Sequence, residues 1–326
     1  MTTQPASAAP NGEGRAGPGP PERETGMVQA FATRGAGGPK TEESRARPVR
    51  FASVDTTRRC PLRCRHCYYY RTSPSGEDVS DEDFLAGLAT WKAATGAECM
   101  LWLGGEPFLR PDLVREGTRL FRRNGAFTSG SVPLPQGIPC GVVVSLDGTA
   151  TVNDAIRGPG AFQRVMNTTD GGRGHLFHCT LTSANMGSTG ELLARLHRAD
   201  AAGVLFGFYS PRAGETGGWV LTDAERNAAV DLLLRLRKEY DGFLLNTAPS
   251  LELLRPGESM KLAARCPYRN GEAVALDHRL RVKHPCSYGP GVDCLRCGCV
   301  AMSLRATAED GDVAARSVLD ALFVHR

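Results

Sequence analysis

The sequence lacks any stretch long enough to cross a bilayer: nowhere do about 18 apolar residues follow one another. The N-terminus carries no apolar signal core. The chain is therefore expected in the cytoplasm, without a membrane partner. A surplus of charge is also missing. Lysine and arginine number 39 against 35 acidic residues, a formal net charge of +4, and so mild a balance makes no case for nucleic acid. Residues 1–48 have few periodic apolar positions and are rich in Gly, Pro, Ala, Ser and charge. That composition cannot bury a core, so this tail is expected to be disordered. Met27, inside it, is an alternative start.

Beyond residue 48 the composition is that of a foldable chain. The whole sequence is 326 residues long and 41% hydrophobic, ample for a buried core. Pro48–Val54 reads as a first strand and Asp81–Thr95 as an amphipathic helix capped by Ser80 or Asp81. Cys99–Leu103 is a short apolar run that stops at Gly104-Gly105. Leu113–Arg123 reads as a helix and Gly141–Leu146 as a buried strand. Phe177–Thr182, Val204–Tyr209 and Phe243–Asn246 continue the strands, with helices at Glu191–Ala202 and Asp223–Tyr240. Repeated strand–helix units imply a parallel sheet with outer helices, an α/β fold. Sites in such folds lie at the C-terminal ends of the strands. From about Cys266 the rhythm gives way to short segments, glycines and five cysteines. The expected division is a tail over 1–48, a core over 49–255 and a small metal-organised region over 256–326.

Eleven cysteines are present. Without export they stay reduced, and clustered reduced thiols point to metal or catalysis. Cys60, Cys64 and Cys67 place three thiolates within eight residues, directly after the first strand. Three thiolates can wrap one face of an iron–sulfur cube, leaving its fourth iron for the amino and carboxylate groups of a methionine-type ligand. Structural zinc is the competing reading, but zinc usually takes paired Cys-x2-Cys ligands and four protein donors. A gap of three followed by a gap of two suits iron–sulfur better. Cys99, Cys140 and Cys179 lie in or beside apolar strands and are expected to be core thiols.

This cysteine motif after a first strand resembles the signature of the radical S-adenosylmethionine (SAM) superfamily. His66, before the third cysteine, resembles the subgroup with a SPASM or twitch extension. The resemblance implies a partial (β/α)6 barrel with a small C-terminal Cys-rich, twitch-like extension. It also implies a [4Fe–4S] cluster on Cys60, Cys64 and Cys67 with SAM bound to it. Gly104, Gly105, Glu106 and Pro107 resemble the family's second-strand motif, which binds the SAM amino group. Ser145 and Asp147, then Asn153-Asp154 and Arg157-Gly158, resemble a further family segment. They make Ser145, Asp147 and Arg157 candidate cofactor contacts, with a structural ion pair as the other reading of Arg157. Thr128-Ser129-Gly130 stands where relatives carry Thr-Asn-Gly, a departure that weakens a role for that loop. Cys266, Cys286, Cys294 and Cys297, with Cys299 as substitute, resemble the ligand set of one auxiliary [4Fe–4S] cluster. A zinc knuckle is the alternative there.

The implied activity is reductive cleavage of SAM to a 5′-deoxyadenosyl radical that takes hydrogen from a substrate. A small polar, sugar- or nucleoside-like metabolite is the expected substrate, by dehydrogenation, decarboxylation or epimerisation in natural-product biosynthesis. A flavodoxin- or ferredoxin-type protein is the expected electron donor. A peptide- or protein-modifying maturase and a non-catalytic iron–sulfur or zinc protein are the alternatives. Arg173, His175, Arg212 and Glu215 are candidate substrate contacts, or else solvated loop residues.

Overall fold

In the computed structural model, residues 49–72 and 75–325 are described. The tail read as disordered lies outside them. Six strands run parallel: β1 (Phe51–Asp55), β2 (Cys99–Leu103), β3 (Arg123–Thr128), β4 (Gly141–Ser145), β5 (Leu176–Leu181) and β6 (Gly203–Phe208). Each pairs with its sequence neighbour, as in Ser53 opposite Leu101 and Phe177 opposite Val204. Helices on the crossovers make this the partial (β/α)6 barrel. Beyond β1 the sheet continues through β7 (Ala273–Leu276), which pairs parallel to β1, and β8 (Val282–Lys283), antiparallel to β7. A last strand, β9 (Val324–His325), runs antiparallel to β3. The described residues all belong to one compact unit.

Alternation along the strands sends adjacent side chains to opposite faces. Val144 and Phe206 point outward against Leu192, Leu196 and Leu233 of the helices Thr189–Arg198 and Asp223–Glu239. Val54, Met100 and Trp102 meet Phe84, Leu88 and Trp91 of Asp81–Thr95. The intervening residues Val143 and Leu205 turn to the inner face. There Val300 and Leu304 of the helix Val300–Glu309, and Ala315 and Leu322 of Val313–Leu322, cover them. The end of the chain thus fills the hollow of the open barrel.

The helix Asp81–Thr95 falls where the pattern puts it, and Ser80 caps it by accepting from the Asp83 N–H. Two expectations are corrected. The helix expected to reach Arg123 ends at Thr118, and β3 begins where it was to continue. Buried Asn124 explains the stop, because its amide donates at 3.1 Å to the carbonyls of both Thr118 and Phe121. Phe243–Asn246 is no strand. It makes one bridge, Leu244 to Val204, before Thr247 caps the next helix, and the Asn246 side chain brackets Phe206 by bonding its N–H and its carbonyl. Cys140 and Cys179 are core thiols as expected; Cys99 is half-buried under the inner helices.

The region after Cys266 also docks at the barrel mouth. Phe208 N–H donates to the Gly298 carbonyl at 2.9 Å, and Gly298 N–H to Ser210 Oγ at 2.9 Å. A Cβ on Gly298 would overlap the Phe208 carbonyl. Gly298→Ala is therefore expected to push this loop off β6 and destabilise the fold by about 3 kcal/mol, the upper range for overpacking. A urea midpoint equal to wild type would contradict that packing.

Candidate functional site

The strand ends build the site. The segment Thr56–Arg59 leaves β1 and runs against Gly104–Glu106 leaving β2. Thr56 N–H donates to the Leu103 carbonyl at 2.9 Å, Gly105 N–H to Thr57 at 2.9 Å and Glu106 N–H to Arg59 at 2.8 Å. Gly104 has φ +130°, and a Cβ on Gly105 would strike the Arg59 carbonyl. The two glycines are thus required by the chain's own cysteine loop, a cause that the motif alone did not disclose.

That loop then carries Cys60, Cys64 and Cys67, all half-buried and unpaired. Cys67 N–H donates to the Cys64 carbonyl at 3.1 Å, and Leu62 N–H approaches Cys60 Sγ at 3.4 Å. Burial pushes the Cys60 thiol up to about 12 and raises Cys64 too; charges on Cys64 and Cys67 add to the Cys60 shift. A metal binding here would displace thiol protons, so loading becomes easier as pH rises.

Glu106 is fully buried. Its carboxylate accepts from the Thr128 hydroxyl at 2.7 Å and from Ser129 at its N–H (2.8 Å) and hydroxyl (2.5 Å). Phe108 N–H adds a fourth contact at 3.2 Å. The Thr128-Ser129 loop, given little weight on sequence grounds, thus holds Glu106 in place.

Asp147 is the second buried carboxylate, just past β4. Its Oδ2 lies 2.8 Å from His66 Nε2 and 2.6 Å from Arg157 Nε. Both are close polar contacts whose angles fall short of hydrogen bonding. Thr180 N–H donates to Oδ1 at 2.9 Å. Burial alone would raise this carboxyl; Arg157 and His66 outweigh it and hold it well below the usual range. Arg157 is itself buried, on the helix Ala150–Arg157, and Asp147 more than restores the charge that burial opposes. Arg65 N–H donates to the Ile156 carbonyl at 2.9 Å, so this helix holds the cysteine loop from the far side. His66 Nδ1 is buried and has no protein partner. Ser145 is half-buried and sits opposite His178, whose pKa burial lowers to about 4.

Arg173 and His175 precede β5 and so lie at the end of the sheet opposite the cysteines, which removes them as substrate contacts. Glu215 instead joins Arg71 at 2.9 Å and Tyr209 at 2.7 Å, and Arg212 Nη2 donates to the Arg71 carbonyl at 2.9 Å. Both tie the helix Tyr68–Arg71 to the exit of β6. The sequence pattern did not disclose a buried ion pair at the mouth, Asp55 with Lys283 at 2.7 Å. Nothing in the spacing of those two residues signals it.

Cys266, Cys286, Cys294, Cys297 and Cys299 line one cavity, together with Tyr268, Tyr288, Leu262, Val292 and Met302. Burial raises four of these thiols, Cys286 to about 12. Among the described residues, no three His, Cys, Asp or Glu side chains close on a point as ligands of a single metal ion do. The fit to a cluster rests on other observations. Five thiols share one apolar-walled cavity, three more share an eight-residue loop, and a buried imidazole nitrogen beside that loop has no protein partner.

A model of the radical SAM superfamily matches residues 54–170. The AdoMet-dependent heme synthase of Oleidesulfovibrio alaskensis is 27% identical over 219 residues, 61% of this chain and 56% of that protein. The Fe-coproporphyrin III synthase of Methanosarcina barkeri is 29% identical over 265 residues, 73% of this chain and 64% of that protein. The chain thus spans less than two thirds of either relative. Among solved structures, native anSMEcpe with bound AdoMet superposes with a TM-score of 0.56 at 15% identity, over 74% of this chain and 75% of that one. At that identity the likeness is one of fold.

Asp147→Asn is expected to strand Arg157 in the interior and cost about 3–5 kcal/mol. Because the native carboxyl titrates below its unfolded value of about 3.9, the stability it contributes is present above that pH and is lost as pH falls through the native value. The acid limb of stability measured by urea titration should therefore flatten in the variant. An unchanged acid limb would contradict the buried pair.

Proposed function

We propose that this chain, whose residues 54–170 match the radical SAM superfamily, is a radical SAM enzyme that removes a hydrogen atom from a small polar, sugar- or nucleoside-like metabolite. The observation that carries the chemistry is the loop Cys60–Cys67. It holds three thiols on one short segment, none of them in a disulfide, braced from β2 by Gly104–Glu106 and from β4 by Asp147 and Arg157. Cys60, Cys64 and Cys67 would hold a [4Fe–4S] cluster there, and with SAM beside it the cluster would supply one-electron reductive cleavage of SAM to methionine and a 5′-deoxyadenosyl radical.

The chain's residues do the rest. Cys60, Cys64 and Cys67 hold the cluster. Gly104, Gly105, Glu106 and Pro107 form the edge offered to the SAM amino group, with Glu106 fixed by Thr128 and Ser129. Ser145 flanks the opposite side. Asp147 and Arg157 position the loop through His66. The helices Val300–Glu309 and Val313–Leu322 close the barrel from below and exclude water. Cys266, Cys286, Cys294 and Cys297, with Cys299 in reserve, hold an auxiliary cluster at the mouth, suited to accept an electron and make the net reaction an oxidation. A flavodoxin- or ferredoxin-type protein supplies the reducing electron.

A second substrate reading, an iron-bearing tetrapyrrole, is favoured by the names of the two curated relatives. Anaerobic incubation with SAM and dithionite distinguishes the two when an aminocyclitol panel, an iron coproporphyrin and short peptides are offered separately. Product mass should appear with the aminocyclitols. Product only with the tetrapyrrole, or only with a peptide, would replace the proposed substrate class. Wild-type protein should form 5′-deoxyadenosine, and the variant with Cys60, Cys64 and Cys67 all changed to Ala should form none and lose a cluster's worth of iron and sulfide. Undiminished 5′-deoxyadenosine from that variant, or a zinc-only wild type, would overturn the reading.

A further inference from the structure

Among the described residues, three arginines are buried with under a tenth of their surface exposed: Arg110, Arg157 and Arg226. Two of them have carboxylate partners, Asp81 for Arg110 and Asp147 for Arg157. Arg226, on the helix Asp223–Glu239, has no carboxylate within ion-pair distance among the described residues; the charge of Asp223, at the start of its own helix, reaches it without contact. Its polar contacts are all to main-chain carbonyls. Nε donates to Leu254 at 2.5 Å, Nη1 to Arg296 at 2.9 Å and Nη2 to Cys297 at 2.6 Å. Its guanidinium also lies 5.1 Å from the Phe208 ring centroid.

A buried cation with no counter-charge in contact is costly, and proteins rarely keep one unless something offsets it. The carbonyls that Arg226 grips locate the missing anion. They belong to Arg296 and Cys297, in the segment Cys294–Cys299 that carries three of the five thiols of the auxiliary cavity. We propose that the counter-charge of Arg226 is an anionic iron–sulfur cluster held by the thiolates of this cavity, and that Arg226 raises the reduction potential of that cluster. This rests on the auxiliary-cluster reading above. A cube ligated by four thiolates is a net dianion, and one-electron reduction adds a further negative charge. A fixed cation behind Cys297, in a region of low dielectric, favours the more negative state. Arg226 is then a positioning and tuning residue; it touches no substrate.

The test uses the full chain with Cys60, Cys64 and Cys67 changed to Ala, so that only the auxiliary site can contribute signal. Iron and sulfide are counted, and the cluster is titrated with dithionite and mediators under EPR. Arg226→Gln should lower the potential by about tenfold in the reduction equilibrium, equivalent to about 59 mV for a one-electron couple. Arg226→Lys, which keeps the charge but not the fork, should titrate near the parent. Should Arg226→Gln not fold, Arg226→Met deletes the charge without burying a new polar group and carries the same expectation. A potential unmoved in a charge-deleted variant that retains its cluster would overturn the proposal alone. So would a shift in Arg226→Lys as large as in Arg226→Gln. Absence of any iron–sulfur signal in the parent would overturn the auxiliary-cluster reading and this inference together.

Discussion

Everything at the mouth of the barrel depends on one main-chain contact, the run of Thr56–Arg59 against Gly104–Glu106. Parallel pairing of β1 with β2 does not stop at the strand ends. Three further hydrogen bonds carry it on until the first cysteine is reached. A three-thiol loop has too few residues to make a core of its own, and without this extension its backbone would be free to wander. The close approach demands glycine at 104 and 105, and it delivers Glu106 to the ends of β2 and β3. There four donors from Phe108, Thr128 and Ser129 hold its carboxylate. The same short motif therefore positions both the thiols and the carboxylate.

The opposite wall relies on charge rather than main chain. Asp147, Arg157 and His66 form a buried group that ties the cysteine loop to the end of β4. Such a group is worth little as net stability but severe to break, which makes it a fixing device. Arg226 resembles Arg157 in burial and differs in lacking a carboxylate. That contrast within one molecule is what gives Arg226 meaning. Two sets of thiols thus face the same mouth, one anchored by β1 and β2, the other by the docking of Gly298 on β6.

Much of this was legible in the sequence. The spacing of Cys60, Cys64 and Cys67 marked the first site because ligand geometry is local, and the apolar runs at Cys99–Leu103 and Gly141–Leu146 marked strands because burial on both faces leaves a continuous signal. What escaped was non-local. The strand β3 reads Arg-Asn-Gly-Ala-Phe-Thr, with little apolar content, since Asn124 spends its side chain on capping the preceding helix. Phe243–Asn246 has the composition of a strand, yet Asn246 uses its side chain where a ladder would use backbone. The pairing of β7 with β1, the Asp55–Lys283 pair and the isolation of Arg226 join residues far apart in the chain. Thr128-Ser129 carries no local signal of its role, because that role lies in holding Glu106 on another strand end.

The central claim is that the cluster on Cys60, Cys64 and Cys67 has an open iron that SAM occupies. Electron–nuclear double resonance on the dithionite-reduced protein tests it directly, with SAM labelled by nitrogen-15 at the amino group. The account predicts that adding SAM alters the reduced-cluster spectrum and introduces a hyperfine coupling to the labelled nitrogen. A spectrum indifferent to SAM, with no coupling to the label, would contradict it.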